Sequence, residues 1–323
     1  MADKLMCPYC LDIGCIELKQ DERQQYYACS KCNMRISSEY VNYPDIHREV
    51  VSAVGFRGHG KTVYFASLFN LMNDLADYWP GFYTLAADET SLDIVKNNSR
   101  MLMAGDLPVA TPMNFPTPTI VKFSNMPRFG DRFFLFYDTS GEAYARQSAV
   151  IQHASFVRRS NSVILLVSLD DLERDDQKMH ELLSAYIQGL TDLKGDPKKQ
   201  HLIVVFSKAD RLKTRLGDHR EAWSYLEEGR LEMLGNGKMG RYIKKMKNIS
   251  QDLKGYVKNE LKETQFMNLA TARFKSIEFS IISALGSQPS GNKLDGQTIP
   301  KRILDPLIWV IYKSEGVIQR NFI

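Results

Sequence analysis

Lys61 and Thr62 close the stretch GFRGHGKT, which satisfies G-x-x-x-x-G-K-[ST] from Gly55 onward. In such a loop the glycines let backbone N–H groups wrap phosphate oxygens. The lysine reaches the terminal oxygens and the hydroxyl faces Mg²⁺. The loop residues assigned to nucleotide are Arg57, Gly58, His59, Gly60, Lys61, Thr62 and Val63. Chance produces this pattern at a low rate, and its context adds weight. A β-branched run precedes it, and Phe65, Leu68, Phe69, Met72 and Leu75 follow at helical spacing. A strand therefore delivers the loop and a helix opens from it, with its N-terminal dipole directed at the anion.

Three further stretches end apolar runs with reactive or recognising groups. RFFLFYDTSGEAY reads as a buried strand ending at Asp138, a carboxylate placed to orient a Mg²⁺-bound water. Gly141 can bend close enough to donate its N–H to a terminal phosphate. An aspartic-protease reading of DTSG fails for want of a second such carboxylate. HLIVVFSKADRL ends in Ser207, Lys208 and Asp210. A carboxylate there accepts from N1 and the exocyclic amine of guanine while the Lys208 stem covers the ring. Adenine lacks that donor pair, and leaving a charged group unpaired costs about 1–3 kcal/mol or more. GTP is therefore expected over ATP. SIEFSIISALGS supplies Ser283, Ala284 and Leu285, whose backbone amides can contact the guanine oxygen.

All five cysteines lie in the first 32 residues. Cys7 and Cys10, with Cys29 and Cys32, form two CxxC knuckles of the kind that close a tetrahedral Zn²⁺ site. With so little core of its own, a ribbon over residues 1–46 would draw much of its folding energy from the metal. Redox-active CxxC pairs are the competing reading, but the βαβ context they need is missing. Cys15 is left over as a filler thiol.

These groups need elements to hold them. Strands are expected near 49–55, 118–125, 131–137, 162–168, 201–207 and 276–282. Helices are expected near 61–77, 90–104, 142–158, 176–193, 220–262 in pieces, and 300–314. Their alternation implies an α/β domain over 47–323, a mostly parallel six-stranded sheet with one antiparallel edge strand. Helical insertions are read near 80–110 and 213–270. In the second, Tyr242, Met246, Ile249, Leu253, Tyr256 and Val257 recur at helical spacing with lysines opposite. That face reads as solvated, or else as a docking face for an acidic partner or nucleic acid. The 323 residues, 44% of them hydrophobic, suffice for one large core and a small appendage. A net charge of +4 does not by itself argue for nucleic acid, and no apolar run is long enough for a membrane span. A cytoplasmic, soluble protein is expected.

The ordered set GFRGHGKT, DTSGE, SKAD and SAL resembles a Ras-like P-loop GTPase of the translation-factor-related (TRAFAC) class, over roughly residues 48–320. That resemblance implies a three-layer sandwich. With the ribbon and the C-terminal PKRILDPLIWVI, the chain is similar to bacterial double-GTPase (DO-GTPase) type domains linked to conflict and defence systems.

The departures from the pattern bear on catalysis. Ser207 stands where most such enzymes have Asn or Thr, though a hydroxyl can still tie this loop to the phosphate loop. Glu142 stands where Ras-like enzymes place the water-orienting Gln. Arg57 occupies a position that favours Gly; it can pair with Glu142, lie against the phosphates as a cation in cis, or block the water. A switch threonine is implied before the second strand. Thr111, in an LPxxT context, is preferred for Mg²⁺, and Thr117 is the alternative.

The expected function is a GTP-binding switch with slow or partner-stimulated hydrolysis. The alternatives are a non-hydrolysing module in which the ribbon does the recognition, or an ATPase.

Overall fold

The computed structural model describes residues 5–315, apart from 23, 110, 175–176, 213–215, 217–219, 229–233, 236, 292 and 295. The start of the second expected insertion, at 213–219, therefore lies largely outside the described residues, as does the chain beyond 315.

The described residues before 43 include an antiparallel three-stranded sheet of β1 (Ile16–Gln20), β2 (Gln25–Cys29) and β3 (Arg35–Ile36), followed by the short helix α1 (Ser38–Asn42). Arg48 fastens this segment to the next. Its guanidinium donates to the carbonyls of Tyr40, Tyr43, Pro44 and Ile46.

The main sheet has seven strands: β4 (His47–Val54), β5 (Tyr83–Ala86), β6 (Thr119–Met126), β7 (Gly130–Tyr137), β8 (Ser162–Val167), β9 (His201–Phe206) and β10 (Ser276–Ile281). Their order is β10-β9-β8-β4-β7-β6-β5, and only the β6 pairings, to β7 and to β5, are antiparallel. The expected six strands are all present, and β5 is a seventh. It moves the antiparallel strand one place in from the edge. The central strands are apolar on both faces, as a sheet covered by two helical layers requires; β8 and β9 are buried throughout.

The helices are α2 (Lys61–Met72), α3 (Glu89–Met103), α4 (Gln147–His153), α5 (Leu169–Arg174), α6 (Met179–Asp192), α7 (Arg220–Glu227), α8 (Met239–Asn259), α9 (Thr264–Arg273) and α10 (Asp305–Ser314). Helix α8 lies against β10 and buries Tyr242, Met246, Ile249, Leu253, Tyr256 and Val257, the stripe its period implies. Among the described residues no helix is long and apolar enough to cross a membrane.

Candidate nucleotide and metal sites

Strand β4 ends at Val54, and the phosphate loop runs from there into α2. Gly58 and Gly60 take φ of +84° and +86°, left-handed values that a side chain strains. Gly60 caps α2, and no side chain satisfies the helix's first N–H groups, which leaves them for an anion. Lys61 is almost wholly buried. Its Nζ donates to the carbonyls of Gly55 at 2.8 Å and Phe56 at 3.0 Å. Burial lowers the Lys61 ammonium to about 8, with the Asp138 charge opposing the shift.

At the end of β7, Asp138 Oδ2 accepts the Thr111 hydroxyl at 2.7 Å, and Thr111 Oγ1 lies 2.8 Å from Thr62 Oγ1. Asp138 Oδ1 is buried with no partner among the described residues, and burial raises this carboxyl above its ordinary range. Two hydroxyls and a carboxylate with a vacant oxygen form the hard-oxygen donor set that suits Mg²⁺. Thr117 lines the same cavity of about 350 Å³ but makes no hydrogen bond to Thr62 or Asp138.

Gly141 begins a short 3₁₀ turn that lies on the phosphate loop. A Cβ there would come within 2.1 Å of the Arg57 nitrogen. Next to it, Arg57 Nη1 and Glu142 Oε1 pair at 3.3 Å, both largely in solvent. Of the three roles open to Arg57, pairing with Glu142 is the one observed. Exposed pairs of this kind are weak, about 0–1 kcal/mol.

The base-reading segments converge on a cavity of about 180 Å³. It is lined by Gly58, Gly60, Val63, Tyr64, Ser207, Lys208, Asp210, Ala284 and Leu285, among others. Ser207 Oγ donates to the His59 carbonyl at 2.9 Å, joining this loop to the phosphate loop. Ser283 Oγ donates to Asp210 Oδ1 at 2.5 Å and accepts from the Gly286 N–H at 3.0 Å, which orients the carboxylate. Lys208, at φ +53°, reaches Asp171 Oδ2 at 2.6 Å. Ser67 of α2 donates to the Ala284 carbonyl at 2.8 Å, so the phosphate-loop helix and the SAL loop are tied directly. The sequence reading missed Asp171 and Ser67. Asp171 could have been sought two residues past the end of LLVSL, since strand ends carry every other recognising group. Ser67 had no such signal. The His59 ring is buried against the Leu166 carbonyl, and burial lowers it to about 4.

With the strands, phosphate loop and base cavity in this arrangement, the family follows. Residues 49–294, well over half the chain, match the family model described as Double-GTPase 2. This chain belongs to the Double-GTPase 2 family. No curated protein matches it. Among solved structures it is similar to the GTP-bound Ski7 GTPase-like domain of S. cerevisiae, at 13% identity and TM-score 0.35, covering 89% of this chain and 53% of that one. It is also similar to Sup35 complexed with GDP, at 11% identity and TM-score 0.29, covering 80% of this chain and 45% of that one. The chain thus spans about half the length of those structures.

In this Double-GTPase 2 chain the four knuckle cysteines lie with all their sulfurs within 4.8 Å of one another. Cys7 and Cys32 are 3.8 Å apart and Cys10 and Cys29 are 3.6 Å apart. Zn–S bonds of about 2.3 Å in a tetrahedron need sulfurs roughly 3.8 Å apart, so these cysteines fit zinc. Backbone N–H groups of Lys31 and Cys32 point at Cys29 Sγ, both at 3.4 Å. Cys15 is buried 3.4 Å from that sulfur, on the flank of the cluster.

Proposed function

We propose that this chain binds GTP with Mg²⁺ and hydrolyses it slowly to GDP and phosphate, as a switch read by a protein partner. The observation that carries the reading is Asp210, held by Ser283 at the mouth of a cavity that also meets the phosphate loop. A carboxylate so placed answers the N1–H and exocyclic amine of guanine and has no such pair in adenine.

The residues divide the work by position. The N–H groups of residues 58–63 wrap the phosphates, and the Lys61 ammonium turns from its loop carbonyls to the β and γ oxygens. Thr62, Thr111 and Asp138 are the residues that would hold Mg²⁺. When bound, that ion neutralises charge developing on the phosphate oxygens. Gly141 donates its N–H to the γ-phosphate, and Ser207 keeps the base loop in register with the phosphate loop. Glu142 is the group nearest to a water-positioning role. Arg57 pairs with one of its two carboxylate oxygens in the resting site, a weak engagement that is compatible with slow unaided turnover. A partner that draws Arg57 onto the phosphates would release Glu142 and add a cation at the transition state, an effect worth about 10³–10⁵ in related enzymes.

The same pair also favours a second reading, a nucleotide-bound module that does not turn over. Identifying the nucleotide retained on purification, then timing phosphate release in a single turnover, separates the two. Retained GDP, binding lost in Lys61→Ala and slow release support the switch. Equal affinity for ATP refutes the guanine site, and no release from wild type, Arg57→Gly or Glu142→Gln favours the module. The cysteine site is read as structural zinc.

A further inference from the structure

Helix α3 is poorly filled in. Of its fifteen residues only Ser91 and Leu102 are fully buried, and a cavity of about 670 Å³ opens between it, α2 and β5. Phe69, Met72, Val95 and Val121 make an apolar floor, while Lys96 and Arg100, one turn apart, belong to the α3 wall. Neither cation forms a salt bridge among the described residues, and both are exposed.

The cavity borders an open strand. No strand lies beyond β5 among the described residues. Ala87 donates its N–H to the Ile120 carbonyl at 2.9 Å, and β5 pairs Tyr83 with Ser124 and Leu85 with Lys122. In an antiparallel ladder residues two apart bond to the same side. Tyr83 and Leu85 therefore bond inward to β6, and Thr84 and Ala86 aim their N–H and C=O groups outward. Thr84 and Ala86 are also the β5 residues whose side chains line the cavity. On the other face Tyr83 and Leu85 remain 51% and 43% exposed. Natural edge strands are commonly blocked by lysine, proline or a bulge; YTLA carries none of these.

We propose that this corner docks a protein partner through an acidic segment that adds to β5 in extended conformation. Its backbone would pair with Thr84 and Ala86, and its side chains on the α3 face, two residues apart, would put an apolar group into the cavity and carboxylates against Lys96 and Arg100. The site is separate from the nucleotide, but α3 is shared: Ile94 and Asn98 line the cavity beside Thr111. The inference stands without the hydrolysis reading.

Selection of random displayed peptides against the full chain tests it, followed by fluorescence polarisation of the enriched peptides. Enriched peptides should carry apolar and acidic residues at every second position, on one face of the strand, and their binding should slow amide exchange at Thr84 and Ala86. Lys96→Glu with Arg100→Glu should weaken binding by about tenfold or more, leaving unfolding temperature and GTP binding unchanged. Thr84→Pro, which removes an outward N–H, is the second variant and should weaken it likewise. Enrichment of basic peptides, protection elsewhere, no enrichment at all, or unchanged affinity in the charge-reversed protein would overturn the proposal. So would self-association abolished by the same charge reversals, which would assign the corner to a second copy of this chain.

Discussion

Gly141→Ala tests how the DTSG turn meets the phosphate loop. The added methyl would lie 2.1 Å from the Arg57 nitrogen, 2.3 Å from the Phe56 carbonyl carbon and 2.6 Å from Arg57 Cα. All three are backbone atoms, so no rotamer change relieves the clash. Carbon contacts relax only near about 3.5–4.0 Å, and the two loops must part by more than ~1 Å. Forcing atoms into a packed site costs about 1–3 kcal/mol. The larger effect is on ligand choice. The N–H of residue 141 would withdraw from the γ-phosphate, and a hydrogen bond to a charged group contributes about 1.5–3 kcal/mol. GTP should therefore lose about tenfold to a hundredfold in affinity, while GDP, which has no γ-phosphate, should lose only a few-fold.

Calorimetric titration with GDP and a non-hydrolysable GTP analogue reads this, with thermal unfolding as the control. Gly58→Ala is the matched comparison. Nothing lies within 4 Å of its Cβ position, so only the φ of +84° resists. That strain is about 1–2 kcal/mol and should affect GDP and GTP equally. Wild-type affinity for both nucleotides in Gly141→Ala would refute the close approach. Equal losses for both would refute the γ-phosphate role.

Other consequences follow from the same geometry. Asp210→Asn replaces an acceptor with a donor, so guanine affinity should fall by about 10²-fold or more and xanthine nucleotide should gain; a competition assay that still favours GTP would sink the base assignment. Thr111→Ala should weaken Mg²⁺-dependent GTP binding while Thr117→Ala leaves it intact, and the reverse order in a Mg²⁺ titration would reassign the switch residue. Burial holds His59 near 4, below its ordinary value of about 6.5. The unfolded chain binds more protons between those values, so this contribution is complete above about pH 6.5. It falls away toward pH 4, by up to about 3 kcal/mol; thermal unfolding flat across that window would contradict it. With the cysteine site read as zinc, a zinc-selective chelator in constant excess Mg²⁺ should lower the unfolding temperature and weaken nucleotide binding as well, and unchanged binding would show that the two sites are uncoupled.

Every group read from the sequence as recognising nucleotide closes an apolar strand, and that is why the site was legible. Runs such as HLIVVF can only be buried, so the first polar residues after each emerge together at the carboxyl ends of the parallel strands. Strand β5 escaped notice because YTLA is four residues long and only half buried, with no period to separate it from a loop. Ser67 and Tyr137 were missed for a different reason: their partners lie far away in the chain. Tyr137 had the look of one more core residue in RFFLFY. Arg57 and Glu142 were each conspicuous alone, but pairing was one of several geometries open to them until the DTSG turn was seen lying on the loop.

The cysteine knuckles are held against the nucleotide domain by hydrogen bonds from two of its side chains. The Tyr137 hydroxyl donates to the carbonyl of Pro8, inside the first knuckle, at 2.5 Å. Arg159 donates to the carbonyl of Leu11, while Tyr40, within the ribbon segment itself, donates to that of Met6. The Tyr137 ring stacks on Phe156 at 4.6 Å, and Phe115, from the loop that carries Thr111, meets both edge-on. Tyr137 is also the residue before Asp138. A metal held by the four thiols would fix the Pro8 carbonyl in place, and that carbonyl accepts from the hydroxyl of the ring against which Phe115 of the Thr111 loop packs. A buried hydroxyl left without its acceptor loses about 1–3 kcal/mol, so disorder in the knuckle reaches Asp138 and Thr111 through one side chain. Tyr137→Phe removes the link and leaves the stacking, which separates this route from a general loss of stability.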